Sequence, residues 1–172
     1  MATDTRTSLR HGILSDERRS EREQLIEMLT KAYWMEMETV MSYIANSINP
    51  DGVRAQEIIE SLEEDIQEEL GHARQFGERI KELYGVVPGS LDFHAEQNYL
   101  QPPDEQTDIV HVIKGVIEAE AGAIEYYNEI IEFCEAKDPV AQDMVIDILR
   151  DEEGHRRLFE GFLREYKAEG LA

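Results

Sequence analysis

The sequence predicts an all-α fold, a four-helix bundle with a long crossover between helices two and three. Apolar residues recur at three- and four-residue steps in four long stretches, which is the pattern of amphipathic helices. The longest break in this pattern, residues 85–107, contains Pro88, Pro102 and Pro103. A crossover of that length lets helices two and three run parallel. A chain of 172 residues with 41% hydrophobic content is enough for one core.

The first two helices are bounded by turn signals. We expect helix one over residues 19–48, because Asn49-Pro50-Asp51-Gly52 follows it and is typical of a turn. Helix two should cover residues 53–84 and stop at Gly85. Residues 1–18 are predicted to form a flexible N-terminal tail, so that residues 19–172 make up the bundle domain.

The last two helices follow the crossover. Helix three is expected over residues 108–135. Helix four should start with Asp138 as N-cap and Pro139 at the first helical position, and should run to about residue 167. Inside the crossover, the segment from Leu91 to Leu100 is expected to form a short helix that covers an interface.

An acidic residue interrupts the apolar row of each helix near its middle. In helices two and four the acid is followed three residues later by a histidine, and this spacing places both side chains on the same helical face. Any single Glu on a helix is best explained as part of a solvated face. Six residues that all coincide with apolar rows are better explained as a metal site; they are Glu36, Glu69, His72, Glu120, Glu152 and His155.

Charge compensation makes this a site for two ions. Burying each ionised carboxylate costs several kcal/mol, and four of them in one core would also repel each other. Two divalent cations cancel four negative charges, and neutral imidazoles complete the coordination. Iron is the expected metal, and manganese would also suit these ligands.

The two halves of the chain repeat this pattern. Glu36 and Tyr43 have the same spacing as Glu120 and Tyr127, and the segment EELGHARQF at 68–76 corresponds to DEEGHRRLF at 151–159. Two facing helix pairs of this kind predict a pseudo-twofold site, to which each half contributes one terminal Glu, one bridging Glu and one His.

With these motifs, residues 25–167 resemble the bacterioferritin and Dps-like branch of the ferritin superfamily, and ILRDEEGH at 148–155 is especially similar to bacterioferritin. The resemblance implies that Glu69 and Glu152 bridge two metal ions. It further implies that Glu36 with His72 completes one ion and that Glu120 with His155 completes the other.

The resemblance also concerns residues around the ligands. Tyr43 and Tyr127 are expected either to hydrogen-bond ligands or supply an electron, or to be core aromatics with a bonded hydroxyl. Leu70 occupies the position where haem-binding bacterioferritins have the axial Met, so we expect no haem. The chain stops 17 residues after His155, which leaves no room for the fifth helix of 24-subunit ferritins and favours a shell of twelve subunits.

The chain has a single cysteine, Cys134. It excludes the cysteine pair of some Dps-like proteins, suits a reducing cytoplasm and is expected to be a small apolar filler.

The remaining composition limits the partners that the protein can bind. No stretch is apolar enough to cross a membrane. A net charge of −21 argues against nucleic-acid binding, since the partner would itself be a polyanion. The acidity either attracts Fe²⁺ or is a generic acidic surface.

The resulting hypothesis is a di-iron ferroxidase that oxidises Fe²⁺ with O₂ or H₂O₂ for iron storage and detoxification. One alternative is a di-iron or di-manganese peroxidase or catalase that stores no mineral. A second is a non-catalytic helical bundle that binds a partner. His94 and His111 are expected to be surface or packing residues, and Trp34 is placed either near the site or at a subunit contact.

Overall fold

The computed structural model describes residues 12–172, and in that range it contains four long helices and no strand. The all-α four-helix bundle predicted from the sequence is confirmed. The helix ends lie within two residues of the predicted ends. The bounds are α1 Arg19–Ile48, α2 Ala55–Glu82, α3 Ile109–Cys134 and α4 Pro139–Ala168.

The helices are arranged as two antiparallel hairpins, α1 with α2 and α3 with α4. Contacts between the hairpins set their relative direction. Tyr126 of α3 donates a hydrogen bond to the Met28 carbonyl near the start of α1, whereas Glu120, earlier in α3, contacts Tyr43 near the end of α1. Since α1 and α3 are therefore antiparallel, α2 and α3 run parallel, as the long crossover predicts.

The start of α4 is fixed by its N-cap. The Asp138 carboxylate accepts hydrogen bonds from the backbone N–H groups of Val140 and Ala141, and Pro139 occupies the first turn, as predicted. The same carboxylate is buried and accepts a hydrogen bond from Arg79 of α2 at 2.5 Å. The Asp138 side chain thus caps the start of α4 and links this helix to α2.

The prediction of one short helix from Leu91 to Leu100 is wrong. The crossover has two 3-10 turns, Ser90–Asp92 and Asn98–Leu100, with a non-helical segment between them. The reason lies in α1: the buried Glu38 carboxylate accepts hydrogen bonds from the backbone N–H groups of Glu96 and Gln97. Those two donors are therefore not available to a continuous helix.

The apolar core consists of two clusters, one towards each end of the bundle. All four helices contribute to each cluster, and the predicted metal ligands lie between the two along every helix. The first includes Leu25, Leu29, Phe76, Ile80, Ile130 and Val145. The second includes Val40, Ile58, Leu62, Ile113, Val116 and Phe159.

The predicted tail over residues 1–18 falls only partly within the described residues, and residues 1–11 lie outside them. The rest of it packs against the bundle: Ile13 is buried in the first cluster, and Arg22 donates hydrogen bonds to the Ile13 and Ser15 carbonyls. Within residues 12–172, no helix combines the length and the apolarity that crossing a membrane requires.

Candidate metal centre

The bundle brings all six predicted ligand residues together between the two apolar clusters. Their exposed fractions are between 1% and 8%, although all six side chains are polar or charged. Each helix contributes one carboxylate, and α2 and α4 each add an imidazole one turn after it. The residues are Glu36, Glu69, His72, Glu120, Glu152 and His155.

The ligand atoms form two overlapping groups, and within each group they lie no more than 4.8 Å apart. Two carboxylates, Glu69 and Glu152, belong to both groups. Glu36 and His72 complete one group, and Glu120 and His155 complete the other. This is the division that the sequence resemblance implies.

Both imidazoles point Nδ1 towards the shared carboxylates. His72 Nδ1 lies 3.2 Å from Glu152 and 3.4 Å from Glu69. His155 Nδ1 lies 3.4 Å from Glu69 and 3.7 Å from Glu152. Each Nδ1 can therefore serve as a ligand atom if the ring carries its proton on Nε2.

Carboxylates outside the cluster contact the other nitrogen of each ring. His72 Nε2 lies 3.3 Å from Asp151, and His155 Nε2 lies 2.9 Å from Glu68. A carboxylate at this position holds a ligand histidine in one tautomer and orientation. The sequence analysis missed both acids. The repeat carried the signal, because each acid directly precedes the motif glutamate of its helix and serves the histidine of the other helix.

Asp65 is a third residue that the sequence analysis missed. It is buried, its carboxylate lies 3.6 Å from His155 Nε2, and burial raises its pKa to about 6. The corresponding position of the second half is Ile148, so this acid is present on one side of the centre only.

The two tyrosines connect the halves of the centre crosswise. Tyr43 of α1 donates a hydrogen bond to Glu120 of α3, and Tyr127 of α3 donates one to Glu36 of α1. Both rings are fully buried in the apolar clusters. Burial and the neighbouring glutamates raise both tyrosine pKa values well above the ordinary value, so both hydroxyls remain donors.

Without metal, protons balance the charge of the cluster. Burial, and then the charges of Glu69 and Glu152, raise the pKa values of Glu36 and Glu120 well above the ordinary value. For Glu69 and Glu152 burial acts in the same direction, but contacts that include both imidazoles outweigh it and lower the pKa.

The pKa values of the two histidines shift upwards, opposite to those of Glu69 and Glu152. Burial favours the neutral ring, but contacts with Glu152 and Glu69 outweigh it and raise the pKa of His72 to about 10 and that of His155 to about 12. Two imidazolium ions thus face two carboxylates, while the other two glutamates hold their protons.

Three buried atoms of the centre lack a hydrogen bond of good geometry: Glu69 Oε1, Glu152 Oε1 and His155 Nδ1. They are held only by longer ion-pair contacts, since Glu69 Oε1 lies 3.4 Å from His155 Nδ1 and Glu152 Oε1 lies 3.2 Å from His72 Nδ1. A cation between these atoms would supply each with a direct partner, and mixed carboxylate and imidazole donors suit iron or manganese. The donor set therefore fits metal binding.

Comparison with known protein families agrees with this fold and with the buried cluster. Residues 26–168 match the ferritin-like domain family. The chain belongs to the ferritin-like family. The sequence resemblance is thereby confirmed, and with it a ferritin-like fold containing a buried carboxylate and histidine cluster that could hold metal.

Among ferritin-like relatives, a DNA protection during starvation protein of Pyrococcus furiosus is 32% identical over 146 residues, which cover 82% of this chain and 77% of the relative. A dodecameric thioferritin of Bacteroides fragilis, described as bacterioferritin-related, has a TM-score of 0.74 at 23% identity and covers 87% of this chain and 89% of its own. The bacterioferritin of Desulfovibrio desulfuricans, studied for its diiron site, has a TM-score of 0.75 at 24% identity, with coverages of 88% and 84%.

Other residues of this ferritin-like chain lie away from the centre. His94 and His111 are exposed, and His111 Nε2 lies 2.9 Å from the Gln101 carbonyl. Trp34 packs against Phe93 of the crossover, with ring centroids 5.3 Å apart. Cys134 is buried in the first cluster, and burial raises its pKa to about 12, which fits an apolar filler.

Proposed function

We propose that the protein is a ferroxidase that binds two Fe²⁺ ions at the six-residue centre and oxidises them to Fe³⁺. The observation that carries the proposal is the pair of ligand groups with Glu69 and Glu152 in common. Two ferrous ions supply two electrons. Together with two protons, these reduce O₂ to H₂O₂ or H₂O₂ to two water molecules.

The residues of the chain have separate tasks in this reaction. The four carboxylates neutralise the two ions, and their hard oxygen atoms favour the ferric product. Glu69 and Glu152 hold the ions side by side. Asp151 and Glu68 keep the imidazoles turned with Nδ1 inward. The protons on the histidines, Glu36 and Glu120 leave when the ions bind, because metal ligation requires the deprotonated groups.

We infer that the protein works as a homo-oligomer, with a twelve-subunit shell as the favoured assembly. Three apolar side chains follow one stripe of α1 and are exposed, Met41 by 57%, Ile44 by 42% and Ile48 by 74%. Such a stripe is typical of an interface. The dodecameric state of the Bacteroides fragilis thioferritin supports this number.

Protection through iron chemistry fits the charge of the chain better than direct DNA binding does. The Pyrococcus furiosus relative is named for DNA protection. At a net charge of −21, a cytoplasmic protein of this kind would repel a nucleic acid. Removal of Fe²⁺ and peroxide would protect DNA without contact, and storage of the ferric product would follow.

The test is an anaerobic Fe²⁺ titration followed by addition of O₂ or H₂O₂, with the ferric absorbance as readout. The wild-type protein should bind two ions per chain and oxidise them. The Glu69→Gln/Glu152→Gln variant should lose both properties, and the control Glu63→Gln, at an exposed position of α2, should lose neither. Unchanged metal content in the double variant would favour a non-catalytic bundle.

Iron loading separates storage from peroxidase or catalase chemistry. A storage protein takes up far more than two ions per chain when Fe²⁺ is added repeatedly. A peroxidase or catalase without mineral storage turns over peroxide while its metal content stays at two ions per chain.

A further inference from the structure

The surface beside the crossover has a cavity of about 480 Å³ between α1, α3 and the crossover. Lys31 is the one lysine or arginine among its lining residues. Six of the other lining residues carry carboxylates, and a cleft in which one sign of charge prevails concentrates ions of the opposite sign. These carboxylates belong to Glu27, Glu38, Asp92, Glu96, Glu125 and Glu129.

A second and much smaller cavity lies at the metal centre itself. Its volume is about 10 Å³, and Glu36, Glu69, Glu120 and Glu152 are among the residues that line it. This is space for about one water molecule. Met35 and Gln97 line both cavities, and these two residues therefore separate the acidic surface cavity from the centre.

Gln97 is held in that position by hydrogen bonds from its side chain and its backbone. Its Nε2 donates to the Thr39 hydroxyl at 2.9 Å and to the Met35 carbonyl at 3.5 Å. Its backbone N–H donates to Glu38 at 2.7 Å. Both Gln97 and Glu38 are 6% exposed. The Nε2 bonds to Thr39 and Met35 are side-chain bonds, so rotation of the Gln97 side chain gives them up while the backbone contact with Glu38 stays in place.

We propose that the Gln97 side chain is a gate, positioned by Glu38, through which Fe²⁺ passes from the acidic surface cavity to the metal centre. This inference rests on the proposed function. The four glutamates of the centre are at most 2% exposed, so an ion needs a passage to reach them. When Gln97 turns, it gives up its hydrogen bonds to Thr39 and Met35, and its amide oxygen becomes a transient ligand for the passing cation.

The experiment measures Co²⁺ binding by stopped-flow absorbance without an oxidant, so that passage is observed apart from oxidation. Gln97→Ala removes the gate, and association and dissociation should both become roughly tenfold faster, since the hydrogen bonds that close the passage are lost. Gln97→Leu fills the passage with an apolar side chain that offers no ligand, and both rates should fall by roughly tenfold. In each variant Kd should stay unchanged.

The matched control is Gln142→Leu, because Gln142 is a half-buried glutamine that donates to the Ile131 carbonyl and lines neither cavity. It should bind Co²⁺ at the wild-type rate. A changed Kd with an unchanged association rate in the Gln97 variants would show a merely structural role and would overturn the gate.

Two further outcomes distinguish the gate from the proposed function. Wild-type rates in both Gln97 variants, with two Co²⁺ per chain, would overturn the gate alone. The ion would then enter on the side of the centre where His72 and His155 lie. A wild-type protein that does not bind two Co²⁺ per chain would overturn the proposed function and the gate with it.

Discussion

The hydroxyl of Tyr127 in α3 donates its hydrogen bond to Glu36 in α1, the helix of the other hairpin. Tyr43 makes the matching contact with Glu120 in the opposite direction. Each tyrosine therefore orients a glutamate of the other hairpin. The hairpins depend on each other for the geometry of the centre, although each contributes its own three proposed ligand residues.

Tyr127→Phe should weaken Co²⁺ binding by roughly tenfold, since loss of a group that orients a ligand commonly costs 10–100-fold in affinity. Calorimetric titration measures the effect. Tyr126→Phe is the control, because the Tyr126 hydroxyl donates to the Met28 carbonyl and not to a glutamate of the centre. An equal loss in both variants would mean that Tyr127 matters for packing and not for Glu36.

Asp151→Asn should also weaken metal binding by roughly tenfold, because the amide can present an N–H to His72 Nε2 and so favour the tautomer with the proton on Nδ1. Asp147→Asn is a control one turn earlier on the exposed face of α4, where it pairs with Arg150. Calorimetry again gives the affinity. Identical metal affinity of Asp151→Asn and wild type would show that Asp151 does not support metal binding.

The metal-free protein should lose stability as the pH rises. The pKa of His72 is raised from 6.5 to about 10, and those of Glu36 and Glu120 are also raised. The folded chain therefore holds more protons than the unfolded chain, and the free energy of unfolding decreases with pH. The His72 contribution is complete below pH 6.5 and is lost as the pH rises through about 10.

Thermal melts of the chelated and the metal-loaded protein at pH about 6.5 and about 9 measure this effect, since the His72 contribution is lost over this direction of pH change. The chelated protein should have the lower Tm at the higher pH. The loaded protein should gain affinity for its metal over the same interval, because fewer protons compete for the ligands. A chelated protein that is more stable at the higher pH would contradict the raised pKa values of His72, Glu36 and Glu120.

Ile48→Asp should reduce the size of the assembly. The side chain is 74% exposed, so the change costs little in the isolated chain but places a charge in the proposed interface. Light scattering gives the mass in solution. Glu60→Asp, at an exposed position of α2, serves as a conservative surface control. Unchanged mass in Ile48→Asp would place the interface elsewhere.

Asp138→Ala should destabilise the fold by roughly 3 kcal/mol, because it removes the N-cap of α4 and leaves the buried Arg79 with only Glu82 as ion-pair partner. Urea unfolding of the metal-free protein measures the loss. Asp143→Ala, an exposed position in the same helix, should change the stability little. Comparable losses in the two variants would show that neither the cap nor the ion pair matters.

The sequence was sufficient to predict the helices and the convergence of the six proposed ligand residues, because apolar periodicity defines the buried face of each helix. Periodicity was insufficient for groups that act across helices. Glu68 and Asp151 have exposed side chains and lie off the apolar rows, so that only their matching positions in the repeat distinguish them from ordinary solvated acids. Glu38 was missed for a related reason, since its backbone partners at Glu96 and Gln97 lie 58 and 59 residues away.

The repeat within the chain gives the centre an approximate twofold symmetry. Each hairpin carries one complete half of the proposed ligand set, so a single hairpin paired with an identical copy would already possess all six residues. The chain thus has the organisation of a symmetric dimer joined into one polypeptide. The symmetry is not exact, because Asp65 corresponds to Ile148 and Thr39, the partner of Gln97, corresponds to Ala123.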